Sequence, residues 1–589
     1  MTDIASLRPA LAVAIAAVAV VPILASGRRP NVREGWTVLA AAGAFAVVAS
    51  MLPAAISGTT YVSTFGTLVA GVELSLQADP LGLLFGTVAS LLWLITSFYS
   101  IGYMRGLSEH AQTRYFAAFA ASVAAALGVA FADNLVTIFV FYELLTVATY
   151  PLVTHDETAE ARAAGRKYLA YTFGGGVAVL AGTVMIATMT GTTAFSPGGI
   201  AGLANADPVL ARAAFVLLVS GFGVKAALMP LHSWLPDAMV APTPVSGLLH
   251  AVAVVKSGVF GIARVLLDVY GVDLTASLGM GLPLAIVAAA TLLLASIIAL
   301  RQDNLKRRLA YSTVSQLSYI VLGLAILDPT SIVGGLLHIP AHAFMKLTLF
   351  FTAGAIHVET HTDDISEMAG IGKRMPLTML AFGVAAAGMA GIPLVAGFVS
   401  KWYLLIGSVD AGQSVFAVVL LLSGVLNIAY FWPVFYQAFF ESEDAADAKP
   451  LIEFPLGGQE WSIRPEEPTY DPDPVTDGGP ASDASGESSE HRSDGSPASD
   501  ASGESSEHRS EGDEVVEEAP HGGQESHHGG PPAEGWERRG WRGGESTWFM
   551  LGPILAAMTG AVVLGVIPRT AVFLRLIEVI VAAATGVSV

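Results

Sequence analysis

At least thirteen uninterrupted apolar stretches, each near the length of a bilayer crossing, fix what this 589-residue chain can fold into. The stretches 10–26, 36–57, 81–104 and 284–300 each approach the ~20 apolar residues that cross a hydrocarbon core. Charged residues make up 13% of the chain, about half the roughly 25% usual in soluble proteins. Backbone inside a bilayer must satisfy its own hydrogen bonds, and the runs lack strand alternation. An all-α polytopic membrane protein is therefore expected. About fourteen spans are predicted, at 9–26, 36–57, 80–104, 115–132, 134–153, 168–190, 211–230, 244–267, 281–300, 309–327, 331–357, 377–407, 413–440 and 548–568. The stretch 570–587 reads as a fifteenth span or an interfacial helix.

Positive charge gives the orientation. Residues 1–26 end like a signal peptide, but Arg28 and Arg29 follow the apolar run instead of preceding it, so it reads as the first span. Loops after odd-numbered spans hold fourteen Lys or Arg, and the opposite side up to span 13 holds Arg8, Arg212 and Arg264. The positive-inside rule places the odd loops in the cytoplasm of a cell-membrane protein, with the amino terminus outside. Cysteine is absent, so the chain offers no thiolates for an iron–sulfur cluster. No cofactor is expected, nor any reaction chemistry of the chain's own.

Residues 441–547 break the pattern, with 27 Asp or Glu against 7 Lys or Arg. Within them a fourteen-residue stretch at 480–493 recurs unchanged at 497–510. Such Ser-, Gly- and acid-rich sequence buries too little apolar area to fold, and a solvated cytoplasmic insert is predicted. His521, His527 and His528 read as part of that loop, and no metal site is expected. Scarce lysine, 8 against 22 Arg, and abundant carboxylates suit a salty cytoplasm.

Against this apolar background the buried charges carry the chemistry. Lys225, Lys256, Lys346 and Lys401 sit within apolar spans, as does Glu143. Each charge costs roughly 2.5–3.5 kcal/mol near the bilayer centre, and such groups mark ion pathways. His338, His342 and Lys346 recur every four residues and share one helix face, although Pro340 between them invites a kink. His250 and Lys256 are six residues apart and need not face the same partner. Lys167 reads as an anchor at a cytoplasmic helix start.

Two spans carry breakers. Pro230, Pro236, Pro242 and Pro244 follow Lys225, while Gly391, Pro393 and Gly397 precede Lys401. Broken helices at matching places in two halves point to the ion site of inverted-repeat transporters. The broken spans are the seventh and twelfth, and an odd offset means oppositely directed units. The expected organisation is therefore 1–104 (three spans), 115–268 and 280–440 (two inverted five-helix repeats), 441–547 (insert) and 548–589 (a last span with a possible interfacial helix).

The stretch Gly223-Val-Lys-Ala-Ala-Leu-Met-Pro-Leu-His-Ser-Trp-Leu-Pro-Asp-Ala-Met-Val-Ala-Pro-Thr-Pro-Val-Ser-Gly-Leu-Leu-His250 resembles the signature of the proton-translocating antiporter-like subunits. That family includes the large subunits of Mrp-type sodium/proton antiporters and three membrane subunits of respiratory complex I. The resemblance covers roughly residues 80–440. It implies that Glu143 is the fifth-span glutamate and Lys225 the seventh-span lysine that pairs with it. It likewise implies that Lys256 is the eighth-span lysine and Lys401 that of the broken twelfth span. His342 and Lys346 fall in the eleventh-span part of the hydrophilic axis. Lysines in both the eighth and twelfth spans look most like the D-type Mrp subunit. The implied partners are other membrane subunits, protons and sodium, with no nucleic acid. The competing classes are a redox-driven pump component and a membrane enzyme or unrelated carrier.

Overall fold

An apolar run in a bilayer satisfies its backbone by coiling, and in the computed structural model of the chain the predicted spans are helical. The structure describes residues 2–69, 72–442, 530–532, 535–539, 544–569 and 572–588. Among these, eleven helices are long and apolar enough to cross a membrane. They are Arg8–Ala25, Pro30–Ala55, Pro80–Gly106, Gln112–Ala130, Leu135–Val153, Ala159–Thr190, Pro208–Lys225, Gly281–Leu300, Pro329–Thr360, Ser414–Phe440 and Trp548–Val566.

The three remaining predicted spans are helical too, and each departs for a physical reason. The segment 243–269 is divided into α-helices Thr243–Gly247 and Val254–Arg264 with π-helical turns Leu248–Val252 and Val265–Val269. The helix Leu305–Ala325 begins with Lys306, Arg307 and Arg308 and carries Ser312, Thr313, Ser315, Gln316 and Ser318, so its composition is polar. The twelfth is split into Pro376–Ala390 and Ala396–Asp410. The last stretch forms helix Phe573–Thr585, whose 13 residues reach roughly 20 Å, short of a straight crossing.

Strands are an addition to the helical reading. β1 (Thr2–Ala5) pairs in parallel with β2 (Thr59–Val69), which pairs antiparallel with β3 (Val72–Ala78). The β-branched and aromatic residues Thr59, Thr60, Tyr61, Val62, Thr64 and Phe65 favour extended backbone. Their alternation lies between two apolar runs, where the sequence reading placed a loop.

The helix Pro329–Thr360 is the centre of the fold, since its most apolar stretch is wholly buried. It packs against Pro80–Gly106, Leu305–Ala325, Pro376–Ala390, Ala396–Asp410 and Trp548–Val566. The helix is continuous through Pro340, so the anticipated kink does not separate His338 from His342.

The predicted acidic insert falls largely outside the described residues, and its described end is docked instead of solvated. Trp536 Nε1 donates to the Ala369 carbonyl and Arg539 N to that of Lys373. The fully buried Glu545 carboxylate accepts from Leu377 N at 2.9 Å and from Thr378 N and Oγ1, both at 2.6 Å. It thereby caps two orphan donors at the start of Pro376–Ala390. Glu545→Ala is expected to destabilise this junction by about 1–2 kcal/mol, read as faster proteolytic cleavage near residue 545.

Candidate functional site

Lys225 ends the helix Pro208–Lys225, and the chain then leaves helical geometry, with Ala227 at φ +55°. Pro230 lies in the turn that follows and Pro236 in the single helical turn Trp234–Asp237. Pro242 caps the next helix start, and Pro244 occupies its first turn. Lys225 is completely buried. Its ammonium lies 3.5 Å from the Tyr142 ring centroid and donates to the Tyr142 carbonyl. Nearby Lys167 joins its helix to Asp237 through a 2.6 Å ion pair.

Glu143 and Lys225 are close enough for their charges to act on each other, but they form no ion pair within 4 Å. The expected contact is thus open in this structure, with both Glu143 oxygens lacking hydrogen-bond partners among the described residues. Tyr142 and Glu143 are consecutive and project about 100° apart on their helix, so an amine held by Tyr142 is turned from the carboxylate. The space around Glu143 exists because residue 176 is glycine. A Cβ there would lie 1.8 Å from Glu143 Oε1. Gly176→Ala should therefore push Glu143 aside and reduce transport without preventing assembly, measurable as proton flux per assembled complex.

The second group surrounds Pro329–Thr360. Lys256 Nζ is 2.7 Å from His342 Nδ1, and both residues are fully buried. The His342 and His338 rings stand 6.1 Å apart. His338 Nδ1 lies 2.8 Å from Ser400 Oγ, and its Nε2 is 2.8 Å from Gln316 Oε1. Gln316 Nε2 donates to Asn427 Oδ1 at 2.9 Å, and the Tyr430 hydroxyl donates to the same oxygen. Lys346 branches away, donating to the Leu309 carbonyl at 2.8 Å and to Ser312 Oγ. His250 sits in a π-helical turn with its ring 4.7 Å from Phe350 and neither nitrogen hydrogen-bonded among the described residues. It stands beside the row instead of linking it.

Lys401 lies at the far end. Gly391 (φ +94°) ends the helix Pro376–Ala390, Pro393 lies in the gap, and Ala396–Asp410 begins beyond it. Breaking a helix frees its last carbonyls, and Lys401 Nζ donates to that of Met389. Gly397 lets the two half-helices cross, since a Cβ there would lie 1.9 Å from the Gly388 carbonyl oxygen. Lys401 also sits 4.6 Å from the Tyr319 ring centroid. Glu143 and Lys401 are partly exposed, whereas Lys225, Lys256, His338, His342 and Lys346 are completely buried.

Such a row can do one kind of chemistry well. Imidazole accepts a proton at one nitrogen while releasing one from the other, and Ser and Gln side chains bridge between rings. Sequence reasoning missed Tyr142, Gln316, Ser312 and Ser400, which hold the titratable groups. The polar run 312–318 inside an otherwise apolar stretch was the available signal for two of them. Tyr142 and Ser400 offered none.

The comparisons with known proteins agree with this arrangement. Residues 132–427 match the family described as NADH:quinone oxidoreductase/Mrp antiporter, TM. The chain is 35% identical over 398 residues to NADH-quinone oxidoreductase subunit N of Desulforudis audaxviator, covering 67% of this chain and 78% of that one. It is 36% identical over 350 residues to a Na(+)/H(+) antiporter subunit from Alkalihalophilus pseudofirmus, covering 56% of this chain but 42% of that longer one. Its fold is shared with a chain of the Mrp complex from Dietzia sp. at 22% identity and a TM-score of 0.73, covering 98% of both.

Proposed function

Since the chain belongs to the NADH:quinone oxidoreductase/Mrp antiporter membrane family, we propose that it is a proton-conducting subunit of a multisubunit sodium/proton antiporter. One observation carries the reading: a buried row of titratable side chains, Lys256–His342–His338, whose axis extends to partly exposed groups, Glu143 and Lys401. Burying so many ionisable groups is unfavourable unless they serve a pathway. Protons enter through Glu143 and Lys225, whose open contact is one state of a switch. Closing the pair holds the amine charged, and opening it releases the proton toward Lys256. His342 and His338 pass it on through intervening water, with His250 and Lys346 alongside, and Lys401 delivers it to the second half-channel. In this scheme Lys225 and Lys401, each beside a broken helix, hold equivalent positions in two inverted repeats, 115–268 and 280–440. The odd-numbered loops and the acidic insert face the cytoplasm, and the partners are other membrane subunits.

The resemblance of the Lys256 and Lys401 pattern to D-type Mrp subunits, together with the sodium antiporter relative, favours sodium exchange. The relative from a quinone oxidoreductase supports a second reading, a pump component driven by electron transfer elsewhere. Inverted vesicles carrying the native complex separate the two. Exchange of protons for added sodium without an electron donor is expected. Proton movement that appears only when a reduced donor is supplied would assign the chain to a redox pump, and exchange with potassium alone would change the cation.

A further inference from the structure

A second cluster of titratable groups lies outside the proton axis, at the Lys- and Arg-rich end of the bundle. Residues 107–111 join Pro80–Gly106 to Gln112–Ala130 and carry Glu109 and His110. His155 follows the helix Leu135–Val153. Glu109 Oε2 is 3.7 Å from His110 Nδ1 and 3.8 Å from His155 Nε2, and the three ligand atoms all lie within 4.8 Å of one another.

His155 is the telling residue. Its side chain is 0% exposed, yet neither ring nitrogen has a hydrogen-bond partner among the described residues. Leaving a buried polar group unpaired costs about 1–3 kcal/mol, so a histidine kept here needs a ligand to justify it. The Tyr115 and His110 rings fix its plane, at 5.8 Å and 4.7 Å between centroids. Arg114 binds the His155 carbonyl and pairs with Glu157, which offsets the nearest positive charge.

We propose that Glu109, His110 and His155 form a binding site for a borderline divalent metal ion of the zinc class. A point equidistant from three atoms at these separations lies about 2.4 Å or less from each, so movements of a few tenths of an ångström give the 2.0–2.2 Å bonds of zinc. Two imidazoles and one carboxylate select zinc over magnesium or calcium, which prefer oxygen, and leave a fourth position for water. Burial, with His110 and Arg114 beside it, pushes the His155 imidazolium down to about 4, so the ring is in its metal-binding form near neutral pH. Burial and Asp156 raise the Glu109 carboxyl above its usual range, and a bound cation would return it to the ionised form. The sequence reading expected no metal here because the ligands are split between 109–110 and 155, with no recurring ligand spacing. Bound metal would clasp the 107–111 loop to the end of Leu135–Val153.

The test is zinc titration calorimetry on the full-length chain in its native assembly. In every sample His521, His527 and His528 are replaced by Ser, so that the insert's imidazoles do not contribute. His110 is about half exposed, and His110→Ala should leave the fold intact. The reference is expected to bind one more zinc ion per chain than His110→Ala, or to bind it at least tenfold more tightly, with His155→Gln behaving alike. Cobalt substituted into the reference should show the visible absorption of a tetrahedral site, absent from His110→Ala. Equal zinc stoichiometry and affinity in the reference and His110→Ala would overturn the proposal.

Discussion

Lys225→Ala is expected to reduce proton translocation to background while the assembled complex remains at its normal level. The lysine ends its helix at the break, held between the Tyr142 ring and the Tyr142 carbonyl. It is the one amine whose charge acts on Glu143 among the described residues. Removing it deletes the proton carrier between Glu143 and the Lys256 group, and no other side chain there can take its place. The loss should be at least about a hundredfold, the lower end of what a positioned proton carrier contributes. Stability should not suffer in proportion, because the substitution also removes a cation that is unfavourable inside a membrane. Lys225→Arg keeps a cation but one that holds its proton, so it too should assemble and fail to transport. Proton flux in inverted vesicles, normalised to complex on native gels, reads both variants. Full flux in Lys225→Ala would sink the scheme.

Arg264→Met carries the largest expected loss of stability. Arg264 is buried and binds Asp79 with two parallel 2.7 Å hydrogen bonds, while Nη1 also reaches Asp268 at 2.7 Å. The same Asp79 caps the helix Pro80–Gly106 by accepting from Gly82 N. One guanidinium therefore ties the end of the divided eighth span to the start of the third. Methionine fills much of the volume but leaves two buried carboxylates without their cation, a change worth about 3–5 kcal/mol. Arg264→Lys should recover part of this, since a single ammonium cannot present a fork to both partners. Thermal unfolding in detergent should order the variants wild type, Lys, Met. A Met variant as stable as wild type would show that the carboxylates are solvated or protonated.

Apolar run length and positive charge at the run ends determined the class of this protein and the position of nearly every membrane helix, because the preference of a segment for a bilayer is a local property of its own residues. The breaks after Lys225 and before Lys401 were equally local, since proline lacks the donor a helix needs. Local sequence also marked Lys225, Lys256, Lys346 and Lys401 as exceptional. What each of them touches was decided only by tertiary structure. Lys256 meets His342 across 86 residues, Lys225 turns to Tyr142 and away from Glu143, and Gly176 makes room for that carboxylate from a neighbouring helix. The β1–β2–β3 sheet and the docked Glu545 likewise depend on partners distant in the chain. Periodicity records which face of a helix is apolar or polar; it carries no information about which polar group on another helix packing will bring within 3 Å.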